Sequence, residues 1–343
     1  MPRKRRRGGQ EVTIREVAAR AGVSPMTVSR VINNGANVTD TTRAAVTAAI
    51  KELNYSPNPA ARRLAGSEAF RIGLLYNNPS AAFLSEFLVG ALDECSKSGR
   101  QLVIEKCGIT PAAERAAIQK LLQGGIRNLI LPPPLCEARP VLDEIRKAGA
   151  TAVIVGSGAA SAEFPTVRMD NYKAAREMTA YLLSLGHRRI GFIRGNPNQS
   201  VSAQRLQGFV DALSEAGIAP VDGPVEAGLF SYQSGLAAAE KLLARKPRPT
   251  AIFAANDDMA AAALSVAHRM GLQVPAQLSV VGFDDGPIAA TVWPALTTVR
   301  QPIAAMARAA VDLLIGDAKP RGGVPAQRLL RHALAHREST ARA

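Results

Sequence analysis

The sequence predicts a multidomain chain: a small all-α helix-turn-helix head followed by a larger α/β body built on parallel, helix-covered sheet. Three observations predict it. Helical periodicity with capping signals fills the stretch from Thr13 to Leu53. From Arg71 onward, short β-rich runs alternate with amphipathic stretches of ten or more residues. Charge is also unevenly placed: residues 1–66 carry twelve Lys and Arg against four Asp and Glu, so more than half of the formal +14 sits on a fifth of the chain. With 343 residues, 47% of them hydrophobic, there is room for two or three domains with real cores.

Thr13 and Glu16 have the spacing of a capping box, and Ile14, Val17, Ala18 and Ala21 recur at helical intervals, which predicts a helix over 14–21. Gly22 supplies the tight exit. Ser24 then stands as N-cap and Pro25 at the first helical position, where its missing N–H costs nothing and its fixed φ suits the first turn. The second helix turns Val28, Val31 and Ile32 inward and leaves Met26, Thr27, Ser29, Arg30 and Asn33 outside. A third starts from Thr39 as N-cap, with Val46, Ile50 and Leu53 inward. Two short helices joined by such a turn place the second, N-terminus first, in the major groove of DNA. The basic head reads either as a solvated face or as the partner of a polyanion, and its charge density favours the polyanion.

Residues 1–12, with "RKRRR", predict a disordered basic arm that either adds salt-dependent phosphate attraction or is idle. "SPNPAARRLAG", residues 56–66, is Pro-rich, then small, then closed by Gly, as a plain linker would be.

In the body, "RIGLLY", "RQLVIEKC", "IRNLILPP", "TAVIVGS", "RRIGFIRG", "TAIFAAN" and "LSVVGFDD" predict strands, with helices over 84–98, 112–123 and 172–185 among those between. Ligands of parallel sheets bind outside the carboxyl ends of the strands. The residues there are polar: Asn77 and Asn78, Asn196, Asn256 and Asp257, Asp284 and Asp285, joined by Arg205 from "SAQRLQGF". Together they predict a crevice for a polyhydroxylated or otherwise polar small molecule. The four histidines, His187, His268, His332 and His336, lie away from these strand ends, so no catalytic set is expected. Neither is a phosphate-binding Gly loop, since "GLLYNNPS" is not GxGxxG. Cys95, Cys107 and Cys136 lack metal or disulfide spacing and read as buried thiols. No cofactor and no metal are expected, no run reaches the ~18 apolar residues of a membrane span, and a cytoplasmic location follows.

"TIREVAARAGVSPMTVSRVINN" with "VTDTTRAAVTAAIKELNYSPNPAARRLAG" resembles the DNA-binding head and hinge of the LacI/GalR family of bacterial transcription regulators. The body is similar to that family's effector domain through "VRMDNYKAAREMTAYLLSLGHRRIGFIRG", "SAQRLQGFVDALSEAGI", "FAANDDMAAAALSVAHRMGLQVPAQLSVVGFDD" and "WPALTTVRQP". The resemblance implies a helix-turn-helix domain over 13–57, a hinge over 58–68 and a periplasmic-binding-protein-like effector body over 71–343 of two doubly wound subdomains. Subdomain one would span about 71–169 plus 299–318, and subdomain two about 170–298 plus 319–340, with chain crossings near Asp170, near Thr298 to Gln301 and around Gly316 to Pro325.

It further implies that Pro25, Met26 and Arg30 read bases: Arg30 can pair with a guanine edge, and Met26 and the Pro25 ring can touch a thymine methyl. Thr13, Ser24, Thr27, Ser29 and Asn33 would hold phosphates, helix capping being the alternative for each. Leu64 would be a wedge between central base pairs, with Ala61 beside it in the minor groove. In the body, Arg205, Asn256 and Asp284 match the ligand-gripping positions. Phe230 falls where an aromatic covers a sugar face, and Phe83 falls in the wall beside Asn77 and Asn78; for these four, ordinary packing or loop capping stays open. The expected protein is a homodimeric repressor on a near-palindromic operator, with helix 84–98 as a dimer face and a sugar or glycoside as effector. A corepressor that binds a purine is the alternative, and a sugar-binding module without a DNA role is excluded by the basic head.

Overall fold

The structure, a computed structural model, describes residues 12–32, 38–53, 55, 71–219, 223–316 and 325–343. The chain divides into two compact units, 1–67 and 68–343.

In the first unit, α1 (Ile14–Ala21), α2 (Pro25–Ile32) and α3 (Asp40–Glu52) enclose a small core of Val17, Ala18, Val28, Val31, Val46 and Ala49. The local chemistry explains each boundary. Thr13 and Glu16 complete a reciprocal capping box on α1, and Gly22 ends it at φ 68°, a left-handed conformation that suits glycine. Ser24 Oγ accepts from Thr27 N at 3.1 Å, and Thr39 caps α3 through Thr42 N. Ile32, Ile50 and Leu53 pack on the core from its rim, half-buried.

The second unit holds two six-stranded sheets. The first lobe is built from β1 (Arg71–Tyr76), α4 (Ala81–Lys97), β2 (Gln101–Lys106), α5 (Pro111–Gln123), β3 (Asn128–Leu131), α6 (Arg139–Lys147), β4 (Thr151–Val155) and β5 (Thr166–Met169). The second lobe follows with α7 (Asn171–Ser184), β6 (Ile190–Arg194), α8 (Ser200–Glu215), β7 (Val225–Ala227), α9 (Tyr232–Leu243), β8 (Ala251–Ala254), α10 (Asp257–Arg269), β9 (Ser279–Asp284), α11 (Pro287–Thr291) and β10 (Thr297–Arg300). The chain then returns to the first lobe as α12 (Ile303–Ile315) and β11 (Gln327–Leu330), and closes the second with β12 (Ala333–Ala335). The sheet orders are β11-β5-β4-β3-β1-β2 and β12-β10-β9-β8-β6-β7, all parallel except the β10–β12 pair. Central strands such as β8 and β9 are buried along their whole length, as a sheet covered by helices on both faces requires.

The chain thus passes between lobes after Met169, after Arg300 and between Leu330 and Ala333. The third crossing corrects the expected one around Gly316 to Pro325. Residues 327–330 pair with β5 and belong to the first lobe, while Val299 and Arg300 pair with β9 and belong to the second. Because β11 is an edge strand with Gln327, Arg328 and Leu329 exposed, its hydrophobic pattern does not say which sheet it joins; only the backbone ladder does.

Candidate functional site

The carboxyl ends of both sheets open on one cleft, with about 460 Å³ of empty space, part of it shared with solvent. The first lobe supplies Asn78, Ser80, Phe83, Pro133 and Gly156 to its walls, and the second supplies Asn171, Gln199, Val201, Arg205, Phe230, Asn256 and Asp284, with Gln301 at the crossing. Six of the seven sequence-predicted effector residues meet here. Asn77 does not, since its amide turns away to donate to Gly108 O at 3.0 Å.

Arg205 projects from α8 and is 5% exposed. Its Nε donates to Asn171 Oδ1 at 2.9 Å, its Nη1 donates to Ala255 O at 2.5 Å, and its guanidinium lies over the Phe283 ring, 3.6 Å from the centroid. The Asp284 carboxylate is 3.9 Å from Nη1, too long for a hydrogen bond. Asp284 is held instead by Gln301, whose Nε2 donates to Oδ1 at 2.5 Å. The two groups are therefore held each by its own partners, and both line the cleft.

Electrostatics follow from burial. Desolvation pulls the Arg205 guanidinium down to about 10, with the Asp284 and Asp257 carboxylates pulling the other way. It holds Asp284 well above the usual carboxylate range despite Arg205. Behind them, Asp257 is pushed up to about 6 by burial, against the hydrogen bonds it accepts from Thr298 Oγ1 at 2.6 Å and Gly286 N at 2.9 Å.

Backbone strain marks the same wall. Phe230, Asp284 and Asp285 have φ of 60°, 128° and 62°, conformations that cost non-glycine residues on the order of 1–3 kcal/mol each. Asn256 stabilises one of them: its Nδ2 donates to Phe230 O, and its Oδ1 caps α10 through Met259 N. Gly195 leaves room for the Phe230 ring, whose Cζ would stand 1.9 Å from any Cβ at that position. Asn78 is similarly committed, donating to Pro133 O and accepting from Ser80 N. Asn256 and Asn78 thus shape the wall as much as they line it. Phe83 is stacked on Phe87 in the first lobe's core, its ring 6.0 Å away, and turns only an edge of the side chain to the cleft.

The head presents a second surface. Val28 and Val31 face the head's core, so Met26 and Arg30 fall on the opposite side of α2 and Pro25 on its flank, all exposed, Met26 by 65%. Thr13, exposed, shares its hydroxyl with the Glu16 carboxylate, and Ser24 Oγ stands 2.9 Å from Thr27 Oγ1. Ser29 is half-buried on α2. Asn33, Ala61 and Leu64 lie outside the described residues.

Residues 13–58 match the family model described as bacterial regulatory proteins, lacI family, and residues 179–340 match that of a periplasmic binding protein-like domain. The HTH-type transcriptional repressor PurR of Klebsiella pneumoniae is 36% identical over 309 residues, 88% of this chain and 89% of that protein. The chain belongs to the LacI family. It is a DNA-binding transcription regulator with an effector-binding body, and not an enzyme. Among solved structures, a transcriptional regulator CelR–cellobiose complex superposes with a TM-score of 0.72 at 33% identity, covering 96% of this chain and all of that one. A lac repressor dimer bound to operator and the anti-inducer ONPF superposes at 0.75 with 29% identity, covering 97% and 100%.

Several cleft residues of this LacI-family body escaped the sequence reading. Asn171 follows β5 and Gln301 follows β10, so the rule of polar residues after strands would have found both had those four-residue strands been recognised. Gln199 and Ser80 lie at helix starts and had no distinguishing signal. Among the described residues there is no group of three or more metal-type side chains, and no helix is long and apolar enough to cross a membrane.

Proposed function

We propose that this regulator represses carbohydrate-utilisation genes and that a sugar or glycoside in the cleft changes its operator affinity. The observation that carries the reading is the separation of Arg205 and Asp284 by 3.9 Å within a ring of amides from Asn78, Asn171, Gln199, Asn256 and Gln301. A cation, a carboxylate and amides that both donate and accept suit vicinal hydroxyls, each of which does the same, while Phe230 offers an apolar face to a pyranose ring. A flat purine is better served by a slot between two aromatic faces. The Phe83 ring is engaged by Phe87, which leaves Phe230 as the aromatic available among the lining residues. The purine reading has its own support in the PurR relatives, and it predicts corepression where the sugar reading predicts release.

On the DNA side, Pro25, Met26 and Arg30 read base edges; Thr13, Ser24, Thr27, Ser29 and Asn33 set register on phosphates; Ala61 and Leu64 enter the minor groove. A homodimer on a near-palindromic duplex, working in the cytoplasm, completes the reading. Val89 and Leu92, 62% and 50% exposed on α4, favour that helix as the dimer face.

A thermal-shift screen of the full chain against cellobiose, other sugars and glycosides, and purines tests this, each hit being repeated with a duplex selected by the protein from a random library. Stabilisation by a sugar that weakens duplex binding supports the reading. Stabilisation by a purine alone, with tighter duplex binding, replaces it with corepression.

A further inference from the structure

Helix α8 carries Arg205, and residues at its start, Gln199 and Val201, line the cleft, yet the helix lacks a cap of its own. Gln199, at the N-cap position, makes no side-chain hydrogen bond to the first turn. A helix start leaves backbone N–H groups without intrahelical acceptors and carries partial positive charge. Here a carboxylate from the other lobe meets it. Glu137 ends the short turn Leu135–Glu137 after β3; its Oε2 accepts from Ser200 N at 3.0 Å and its Oε1 accepts from Ser200 Oγ.

The same serine is engaged a second time from the first lobe. Gly158 N, beyond β4, donates to Ser200 Oγ at 2.8 Å, and Gly158 O accepts from Gln204 Nε2, one turn along α8, at 2.6 Å. The approach is close enough that a Cβ at residue 158 would lie 2.5 Å from Ser200 Oγ. Every one of these bonds spans the cleft, so none survives if the lobes separate.

We propose that Glu137 is the cap of α8 supplied across the cleft, and that this contact makes lobe closure the event that positions Gln199 and Val201 at the helix start, Arg205 being held within its own lobe. Opening then leaves the α8 start without a protein acceptor for Ser200 N–H, while closing restores it and brings both walls together. Glu137 acts through α8 and is a positioning residue. The importance of closure for the effector rests on the cleft being the effector site; the contact between Glu137 and closure does not.

The test uses the full chain without effector. Cys95, Cys107 and Cys136 are buried, so spin labels can be directed to cysteines introduced at the exposed positions Arg139 on α6 and Ala203 on α8. With Glu137 present, the interlabel distances should include a short, narrow population. In Glu137→Ala that population should fall, and exchange of the Ser200 amide should speed up about 2- to 30-fold, the range expected for a lost helix cap; the isosteric Glu137→Gln keeps an acceptor oxygen and loses the charge, so both changes should be smaller there. Adding Gln199→Asp to Glu137→Ala gives α8 a cap within its own lobe, on the Val201 and Ser202 amides: protection of those amides should rise and closure should not return. Unchanged distances in both single variants would overturn the proposal, as would recovery of closure in the double variant, which would make Glu137 a matter of helix stability alone. These readouts need no effector, so their failure is separable from failure of the carbohydrate reading.

Discussion

The guanidinium of Arg205 lies 3.6 Å from the centroid of Phe283, while its Nη1 stays 3.9 Å from Asp284 Oδ1. Stacking and hydrogen bonds to Asn171 and Ala255 fix the cation, so it cannot collapse onto the carboxylate. Arg205→Ala should abolish stabilisation by effector and destabilise the body by about 3 kcal/mol, through the buried acceptors and the carboxylate it leaves behind. Arg205→Lys keeps the charge and loses the planar fork, so stability should recover in part while effector binding does not. Urea unfolding and calorimetric titration check the pair.

Acid stability carries a signature of Asp257. Its folded value, near 6, lies above the ordinary 3.8, so between these values the folded state binds more protons than the unfolded. Its contribution to stability therefore rises as pH falls from about 6 to 4, and the penalty of burying the charge is complete above about 6. The effect is on the order of 3 kcal/mol across that window. Asp284 acts in the same direction, whereas His187, held low by burial, loses stability as pH falls below 6.5. Subtracting the pH profile of Asp257→Asn from that of the wild type removes the His187 contribution and leaves that of Asp257 together with its charge repulsion on Asp284. A flat difference between pH 4 and 6 would contradict the assignment.

Gly208 marks where α7 and α8 touch. A Cβ there would stand 2.2 Å from Tyr172 O, a backbone atom that cannot rotate away. Gly208→Ala should destabilise the body by about 1–3 kcal/mol, as overpacking does. Urea midpoints measured on body and head probes separately should show the loss in the body alone.

Arg30→Ala should weaken binding to the selected duplex by about 1–3 kcal/mol and relax preference at one base position. Ser24→Ala, by contrast, should reduce affinity across all sequences and also destabilise α2, since Ser24 Oγ accepts from Thr27 N. Sequencing of duplexes selected by each variant separates the two outcomes.

How much of this was legible in the sequence depended on whether the chemistry was local. Thr13, Gly22, Ser24 and Thr39 act on neighbours within four residues, so the head could be read from spacing alone. Buried runs such as β8 and β9 were equally plain, and the polar residues after them gave Asn256 and Asp284, to which "SAQRLQGF" added Arg205. Strands β5, β7, β10, β11 and β12, three or four residues each, are defined by pairing partners that no local pattern reveals. With β5 and β10 unrecognised, Asn171 and Gln301 were lost too. Glu137 was invisible for the same reason, because its partner Ser200 lies 63 positions away in the other lobe. Asn77 and Asn78 were indistinguishable in sequence, and only the second lines the cleft, the first being drawn away by Gly108 O.

The central claim, that the cleft and the DNA-reading head belong to one coupled system, is tested most directly by reciprocity. With the effector found by the screen, duplex affinity is measured with and without effector, and effector affinity with and without duplex. Linkage requires the two ratios to be equal, and couplings of this kind typically reach about 5- to 150-fold. For a sugar that releases the duplex, both ratios should show the same weakening, and both should vanish in Arg205→Ala. An effector that binds the wild type tightly and leaves duplex affinity unchanged would contradict the account.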